Sequence, residues 1–289
     1  MDENEAPLID WLKAGPQYLL PQHTITRTTH WLTRVEIPAV KNWLIRSFIR
    51  HFKVDMHDAA EPESRAYPSF NAFFTRALRA GARPISPEAG TIACPVDGTV
   101  SQGGNIKRDS IFQAKGHNFT TQELLANTNL AGLFADGIFT TLYLSPRDYH
   151  RIHMPLDGAL RQMLHIPGRL FSVNPPTTRT VPNLFARNER VVTVFETLAG
   201  PMAIVMVGAL NVASIETVWA GEITPPRPKQ IHAWKYQDNE IALQKGAELG
   251  RFNMGSTVIL LFGRNRARWN VALTAGASVR MGQHIGNLL

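Results

Sequence analysis

The stretch Arg251-Phe252-Asn253-Met254-Gly255-Ser256-Thr257-Val258-Ile259-Leu260-Leu261-Phe262 sets the terms on which the rest of this chain is organised. From Thr257 onward the residues are β-branched or apolar, the composition of a buried strand. A Gly-Ser-Thr turn feeds straight into it. The ordinary account is a turn that precedes a core strand. A serine after a glycine has a second capacity, however. Its hydroxyl can attack the preceding carbonyl, because glycine carries no side chain to block the approach. The peptide becomes an ester, and breaking that ester can leave a pyruvoyl group on the new N-terminus.

Outward from this stretch the same strand texture continues. From about residue 90, short β-branched runs alternate with Gly, Pro and Asp turns: 91–100, 137–144, 191–195, 202–212, 214–219, 257–262 and 277–281. Residues 122–133 predict a helix within this body and residues 225–239 a loop. Glycine-cornered segments at 95–100, 245–250 and 279–286 have the texture of barrel-sandwich domains. Towards the N-terminus, residues 66–80 predict a short helix with Ser69 as N-cap. Residues 8–53 read as helical pieces cut by Pro16, Pro21 and Pro38. The expected fold class is therefore α+β: N-terminal amphipathic helices in 1–65, then a β-rich catalytic body in 66–289 of short strands resembling a barrel-sandwich arrangement.

The chain has 289 residues, 44% of them hydrophobic and 18% charged, which suits an ordered globular protein. Cys94 is the single cysteine, so no internal disulfide can form and a reducing compartment is favoured. The acidic start Met1-Asp2-Glu3-Asn4-Glu5 does not resemble a secretory signal, and no apolar run is long enough to span a bilayer. The net charge is +7, which favours an anionic partner. Between Trp11 and Lys53 seven basic residues stand against Glu36 alone, and Trp11, Trp31 and Trp43 fall in the same segment. There Ile37, Val40, Leu44, Phe48 and Phe52 form one helical stripe, with Lys41, Arg46, Arg50 and Lys53 available for a polar face. Trp with Lys and Arg on amphipathic helices suits an anionic membrane surface. Packing of the stripe on the body is the competing account. Nucleic acid is disfavoured, because the basic residues are threaded among Leu, Ile and Trp.

Two further places carry chemistry: 144–155, which contains Tyr149, His150, Arg151 and His153, and Cys94-Pro95-Val96-Asp97-Gly98. His150 and His153 lie three apart, yet the zinc-protease pattern is missing and no metal site is expected. A neutral imidazole can instead take a proton from a serine hydroxyl, with a carboxylate to hold its tautomer. Asp97, His153 and Ser256 supply such a set. The competing accounts are a turn aspartate and structural histidines.

The segment Ser145-Pro146-Arg147-Asp148-Tyr149-His150-Arg151-Ile152-His153-Met154-Pro155 resembles a signature of the phosphatidylserine decarboxylase proenzymes, of the single-chain bacterial form. So do 114–118 (Ala-Lys-Gly-His-Asn), 171–174 (Phe-Ser-Val-Asn), 183–190, 215–221 and 250–257. Met254 stands where bacterial relatives often carry leucine, a volume-conserving change.

The resemblance implies self-cleavage between Gly255 and Ser256, with His153 as base on the Ser256 hydroxyl and Asp97 as its orienter. It implies a large chain 1–255 and a small chain 256–289 that stay together non-covalently. The small chain would begin with a pyruvoyl group derived from Ser256, with neither PLP nor a metal. That group would form a Schiff base with phosphatidylserine, and phosphatidylethanolamine would be released, a step in phospholipid biosynthesis. His150 is the candidate for substrate handling or proton delivery, and Lys115, Arg169 and Arg187 are candidates to grip the phosphate. A peripheral place on the cytoplasmic face of the inner membrane is implied; a homodimer is compatible with it. Two other accounts stay open at this point: a serine hydrolase using the same Asp-His-Ser set without self-cleavage, and a non-catalytic membrane-binding barrel.

Overall fold

A computed structural model describes residues 7–114, 116–210, 214–225, 228–238, 240–255 and 257–289. Three helices open the chain: α1 (Leu8–Ala14), α2 (Gln22–Thr33) and α3 (Pro38–Phe52), the last with Pro38 at its first turn. A short α4 (Phe70–Phe74) follows. The Ser69 side chain accepts from the Ala72 N–H, so the expected cap is present on a helix shorter than 66–80. Phe70, Phe73 and Phe74 of α4 pack against Phe48, Phe52 and Ile45 of α3, and Met254 joins this aromatic cluster from the body.

The body is antiparallel. Its largest sheet has nine strands among the described residues, in the order His232–Lys235, Gly158–Ile166, Arg190–Thr197, Gly200–Val207, Thr257–Phe262, Ile138–Tyr143, Gly98–Asn105 and Ser278–Val279, with Ala242–Leu243 also on the Gly158–Ile166 edge. Thr257–Phe262 is hydrogen-bonded on both sides, Thr257 opposite Val207 and Tyr143 and Phe262 opposite Met202 and Ile138. All six of its side chains are buried, which is why the run is apolar throughout and does not alternate. A four-stranded sheet orders Gly221–Thr224, Ser214–Thr217, Glu248–Asn253 and Arg151–His153. A three-stranded sheet orders Thr91–Ala93, His284–Leu288 and Ala267–Trp269, and a pair is formed by Ser110–Ala114 and His117–Thr120.

The mixed fold with helices gathered at the N-terminus is as the sequence predicts, and among the described residues the sheets are open and no barrel closes. Three local expectations are corrected. The helix over 122–133 is two helices, Thr121–Leu125 and Thr128–Leu133. Ala126 turns left-handed between them and the Asn127 side chain caps the second. The loop over 225–239 contains the strand His232–Lys235, which pairs with Gly158–Ile166, itself a strand that periodicity did not reveal. The run 91–100 is two strands in different sheets, separated by a corner at Cys94–Asp97.

Besides the α3–α4 aromatic cluster, the N-terminal helices meet the body through polar groups. Arg179 donates twice to Asp10, Ser172 N–H to Gln17 Oε1, and Leu170 N–H to Gln22 Oε1. Lys41, assigned to a polar face from sequence, is buried and donates from Nζ to the Arg65 carbonyl (2.8 Å). No helix among the described residues is long and apolar enough to cross a membrane.

Candidate active site

The site lies where the chain passes between the two larger sheets. Asn253 ends a strand of the four-stranded sheet and Thr257 begins the central strand of the nine-stranded one. The Gly255–Ser256 peptide lies in this passage by connectivity; Ser256 itself falls outside the described residues. A second passage runs beside it. Tyr143, opposite Thr257, ends one strand, and Arg151, opposite Arg251, begins the next, so residues 144–150 cross between the same two sheets. The Phe252 N–H donates to the His150 carbonyl (3.1 Å), tying the passages together. This is how His150, remote in sequence, comes to Gly255, while His153, in the strand that follows, stands opposite Glu248.

His150 is fully buried, with the Phe74 ring 4.1 Å away between centroids. Its Nδ1 lies 2.8 Å from the Asp148 carbonyl. A carbonyl only accepts, so Nδ1 carries the hydrogen and Nε2 keeps its lone pair. That lone pair has no partner among the described residues. It faces Gly255: a Cβ built there would stand 2.5 Å from Nε2, closer than a side chain tolerates. Glycine at 255 is therefore required by the imidazole beside it. Burial pushes the His150 pKa down to about 3, against the opposing Asp148 carbonyl, and the Arg76 charge lowers it further. The ring is neutral at pH 7. Met254, just before, has φ of +90°, a left-handed backbone unusual for a side chain of this size and a local strain of about 1–3 kcal/mol.

His153 is arranged in parallel. Its Nδ1 donates to the Gly246 carbonyl (2.8 Å), leaving Nε2 to accept from the Tyr149 hydroxyl (2.9 Å). Burial lowers its pKa and raises that of Tyr149. Asp97 does not hydrogen-bond to His153. Its carboxylate is gripped by Arg83, which donates from Nε and Nη2 and also binds Asp58, and Oδ1 accepts from the Met281 N–H (2.8 Å). The contacts that orient His153 are thus Gly246 and Tyr149, which sequence reasoning did not assign. Asp97 remains a neighbour: His153 N–H donates to the Pro95 carbonyl (2.9 Å), and the Asp97 charge raises the proton affinity of His153 from a distance.

Residues of 144–149 line two cavities. Leu144 and Pro146 face one of about 320 Å³ with Phe48, Phe52, Phe74, Met254 and Gly255, a mostly apolar space. Ser145 and Arg147 face another of about 370 Å³, rich in charged side chains. Of the sequence-based phosphate candidates, Arg169 and Arg187 stack on Phe171, Arg187 also stacks on Tyr18, and Arg169 donates to the Tyr18 carbonyl. They fasten the N-terminal segment to the body. Lys115 lies outside the described residues.

Residues 70–287 match the family model described as phosphatidylserine decarboxylase, and residues 12–53 match a second model, PSD. A phosphatidylserine decarboxylase proenzyme of Alkalilimnicola ehrlichii is 61% identical over 262 residues, covering 90% of this chain and 91% of that one. Proenzymes of the same name from Azotobacter vinelandii (57% over 274 residues; 93% and 96%) and Methylococcus capsulatus (53% over 277; 96% of each) are also similar. With the family model matched over most of its length and relatives more than half identical across nearly all of it, the chain belongs to the phosphatidylserine decarboxylase family.

Proposed function

We propose that this chain decarboxylates phosphatidylserine to phosphatidylethanolamine after cutting itself between Gly255 and Ser256. The observation that carries the reading is the neutral Nε2 of His150 against Gly255, unpartnered among the described residues, in a chain of this family. In the proposed self-cleavage the Ser256 hydroxyl attacks the Gly255 carbonyl and the acyl group moves from nitrogen to oxygen. Loss of the Ser256 α-proton breaks the ester and frees the Gly255 carboxylate. The remaining dehydroalanine rearranges to an imine, which takes up one water and releases ammonia. We assign the first proton transfer to His153, whose Nδ1 is held by Gly246 so that Nε2 is the basic nitrogen; the Tyr149 hydroxyl that Nε2 accepts from would give way to the Ser256 hydroxyl. Asp97 would act on it through its charge.

The residues fit a pyruvoyl group at 256. Gly255 leaves room beside His150, and a buried lone pair stands ready where an amine must lose a proton. Once formed, the ketone would supply an electron sink for the carbon that loses carbon dioxide. His150 Nε2 would take a proton from the incoming ammonium and return one to that carbon. The apolar cavity beside Gly255 would exclude water and disfavour the substrate carboxylate more than the less charged state that follows. The small chain 256–289 would be retained by pairing. It holds Thr257–Phe262 between two strands of 1–255, Ser278–Val279 against Gly98–Asn105, and His284–Leu288 against Thr91–Ala93.

We further take 1–65 as a membrane-associating region and 66–289 as the catalytic domain, with the anionic surface of the inner membrane as partner. The support is the outward face of α1 to α3. Leu8, Leu12, Trp31 and Trp43 are each more than 60% exposed, although these helices are docked on the body. Phe48 and Phe52 of α3 reach the apolar cavity at Gly255, so the same layer borders the site.

Intact mass under denaturing conditions tests the chemistry. The expected outcome is two species dividing at 255/256, the smaller carrying pyruvoyl, with one uncut chain for Ser256→Ala and for His153→Ala. His150→Ala should still cut but lose at least about 100-fold in decarboxylation. A single wild-type chain labelled by a fluorophosphonate would favour the hydrolase and end this reading.

A further inference from the structure

One buried cation has no part in the chemistry above. Arg76 follows α4 and is 4% exposed, yet it lines the charged cavity of about 370 Å³. Its Nη2 donates to the Arg147 carbonyl (3.1 Å) and its guanidinium lies 5.5 Å from the Phe73 ring centroid. Nε and Nη1 are buried with no acceptor among the described residues. A guanidinium presents five N–H groups, and leaving them unanswered away from water is costly. The cavity's own carboxylates do not answer them. Asp97 and Asp58 are taken by Arg83, Asp148 accepts from the Ser145 N–H and hydroxyl, and Asp55 accepts from the His57 N–H. Lys53, Arg147 and Arg280, exposed around the same cavity, have no carboxylate partner among the described residues. Buried, unanswered donors beneath exposed cations make a site for an oxyanion.

We propose that this cavity holds the phosphate of the lipid headgroup, with Arg76 as its buried anchor. The proposal rests on the decarboxylase reading and deepens it. The substrate carboxylate is the poorer occupant. A guanidinium on it would stabilise the very charge that must leave as carbon dioxide, whereas the phosphate keeps its charge throughout. The position is suitable: Tyr149, the partner of His153, lines the cavity, and the Arg76 charge is close enough to His150 to lower its proton affinity. Burial also lowers the Arg76 pKa, the direction that a bound oxyanion would reverse.

The test titrates the purified chain with sn-glycero-3-phosphoserine and, separately, with inorganic phosphate by calorimetry, and measures decarboxylation of the lipid in mixed micelles. Arg76→Gln should weaken glycerophosphoserine about 30-fold, the loss expected for charge-assisted hydrogen bonds. It should raise KM for the lipid by a similar factor and leave kcat within about threefold. Arg280→Gln, on the exposed rim and without consequence for folding, should weaken the same probe about threefold; it carries the test if Arg76→Gln does not fold. Unchanged binding in both variants overturns the proposal. So does a loss confined to inorganic phosphate with lipid KM unmoved, which marks a free-phosphate site, or a fall in kcat alone, which places Arg76 in the chemistry. Glycerophosphoserine binding without carbon dioxide release would instead end the decarboxylase reading and leave the subsite standing.

Discussion

The N-terminal helices and the central strand of the body are built in opposite senses. In Thr257–Phe262 every side chain is buried and the charged residues lie elsewhere. In α1 to α3 the buried residues include Asp10, Gln22, Thr26 and Lys41, while Leu12, Trp31 and Trp43 face outward. Polar residues of the helices such as Asp10 and Gln22 are spent on hydrogen bonds to the body, and while Ala14, Ile45, Phe48 and Phe52 pack inward, Leu12, Trp31 and Trp43 are left largely uncovered by the described residues. A layer with its polarity reversed suits a surrounding that is not water. The same composition, Leu and aromatic residues among Lys and Arg, thus serves a core in one region and a surface in the other.

Breaking the helical face should give the largest effect. The triple variant Leu12→Glu/Trp31→Glu/Trp43→Glu should reduce binding to vesicles rich in anionic phospholipid by roughly 1,000-fold, taking about 1.5 kcal/mol for each lost apolar side chain. Its thermal midpoint should stay within a few degrees, because nothing in the body packs on those side chains. A matching fall in stability would mean that the face is a core.

A single kind of substitution placed in each region sharpens the contrast. Leu260→Ala, in the fully buried strand, should cost about 3 kcal/mol in urea unfolding. Leu12→Ala, 68% exposed, should cost no more than about 0.5 kcal/mol. Equal costs would erase the distinction.

The last comparison concerns the body alone. His150 is neutral in the fold, its pKa held by burial at about 3 against an ordinary 6.5. Between these values the unfolded chain binds a proton that the folded chain refuses. Its contribution to stability is therefore complete above pH 6.5 and is lost as pH falls towards 3. His150→Asn, which does not titrate, should flatten the dependence of the urea midpoint on pH between 6.5 and 4; an unchanged slope would show that His150 is charged in the fold.

Local sequence carried far in some places and not in others. Ser69 as a cap and Thr257–Phe262 as a strand followed from residue type, because a cap and a doubly covered strand use local rules. Gly158–Ile166 escaped because its pattern is intermediate in burial at one end and continuous at the other, with no clean alternation. The pairing of Asp97 with Arg83 escaped for another reason: a carboxylate chooses among partners in space, and charge spacing in sequence is silent on which. Arg76 escaped because a lone arginine after Phe-Phe-Thr reads as the solvated end of a helix.

By itself the sequence determined the chemical capacity of this chain: a glycine before a serine, two histidines three apart, a basic Trp-bearing N-terminal segment, and the motifs that mark its family. Those are properties of residue types and short spacings. The tertiary structure alone decided which imidazole nitrogen is left without a partner among the described residues. Two passages between the same pair of sheets bring His150 Nε2 to Gly255 while Tyr149 occupies His153 Nε2, and only packing can desolvate one imidazole and bind the other.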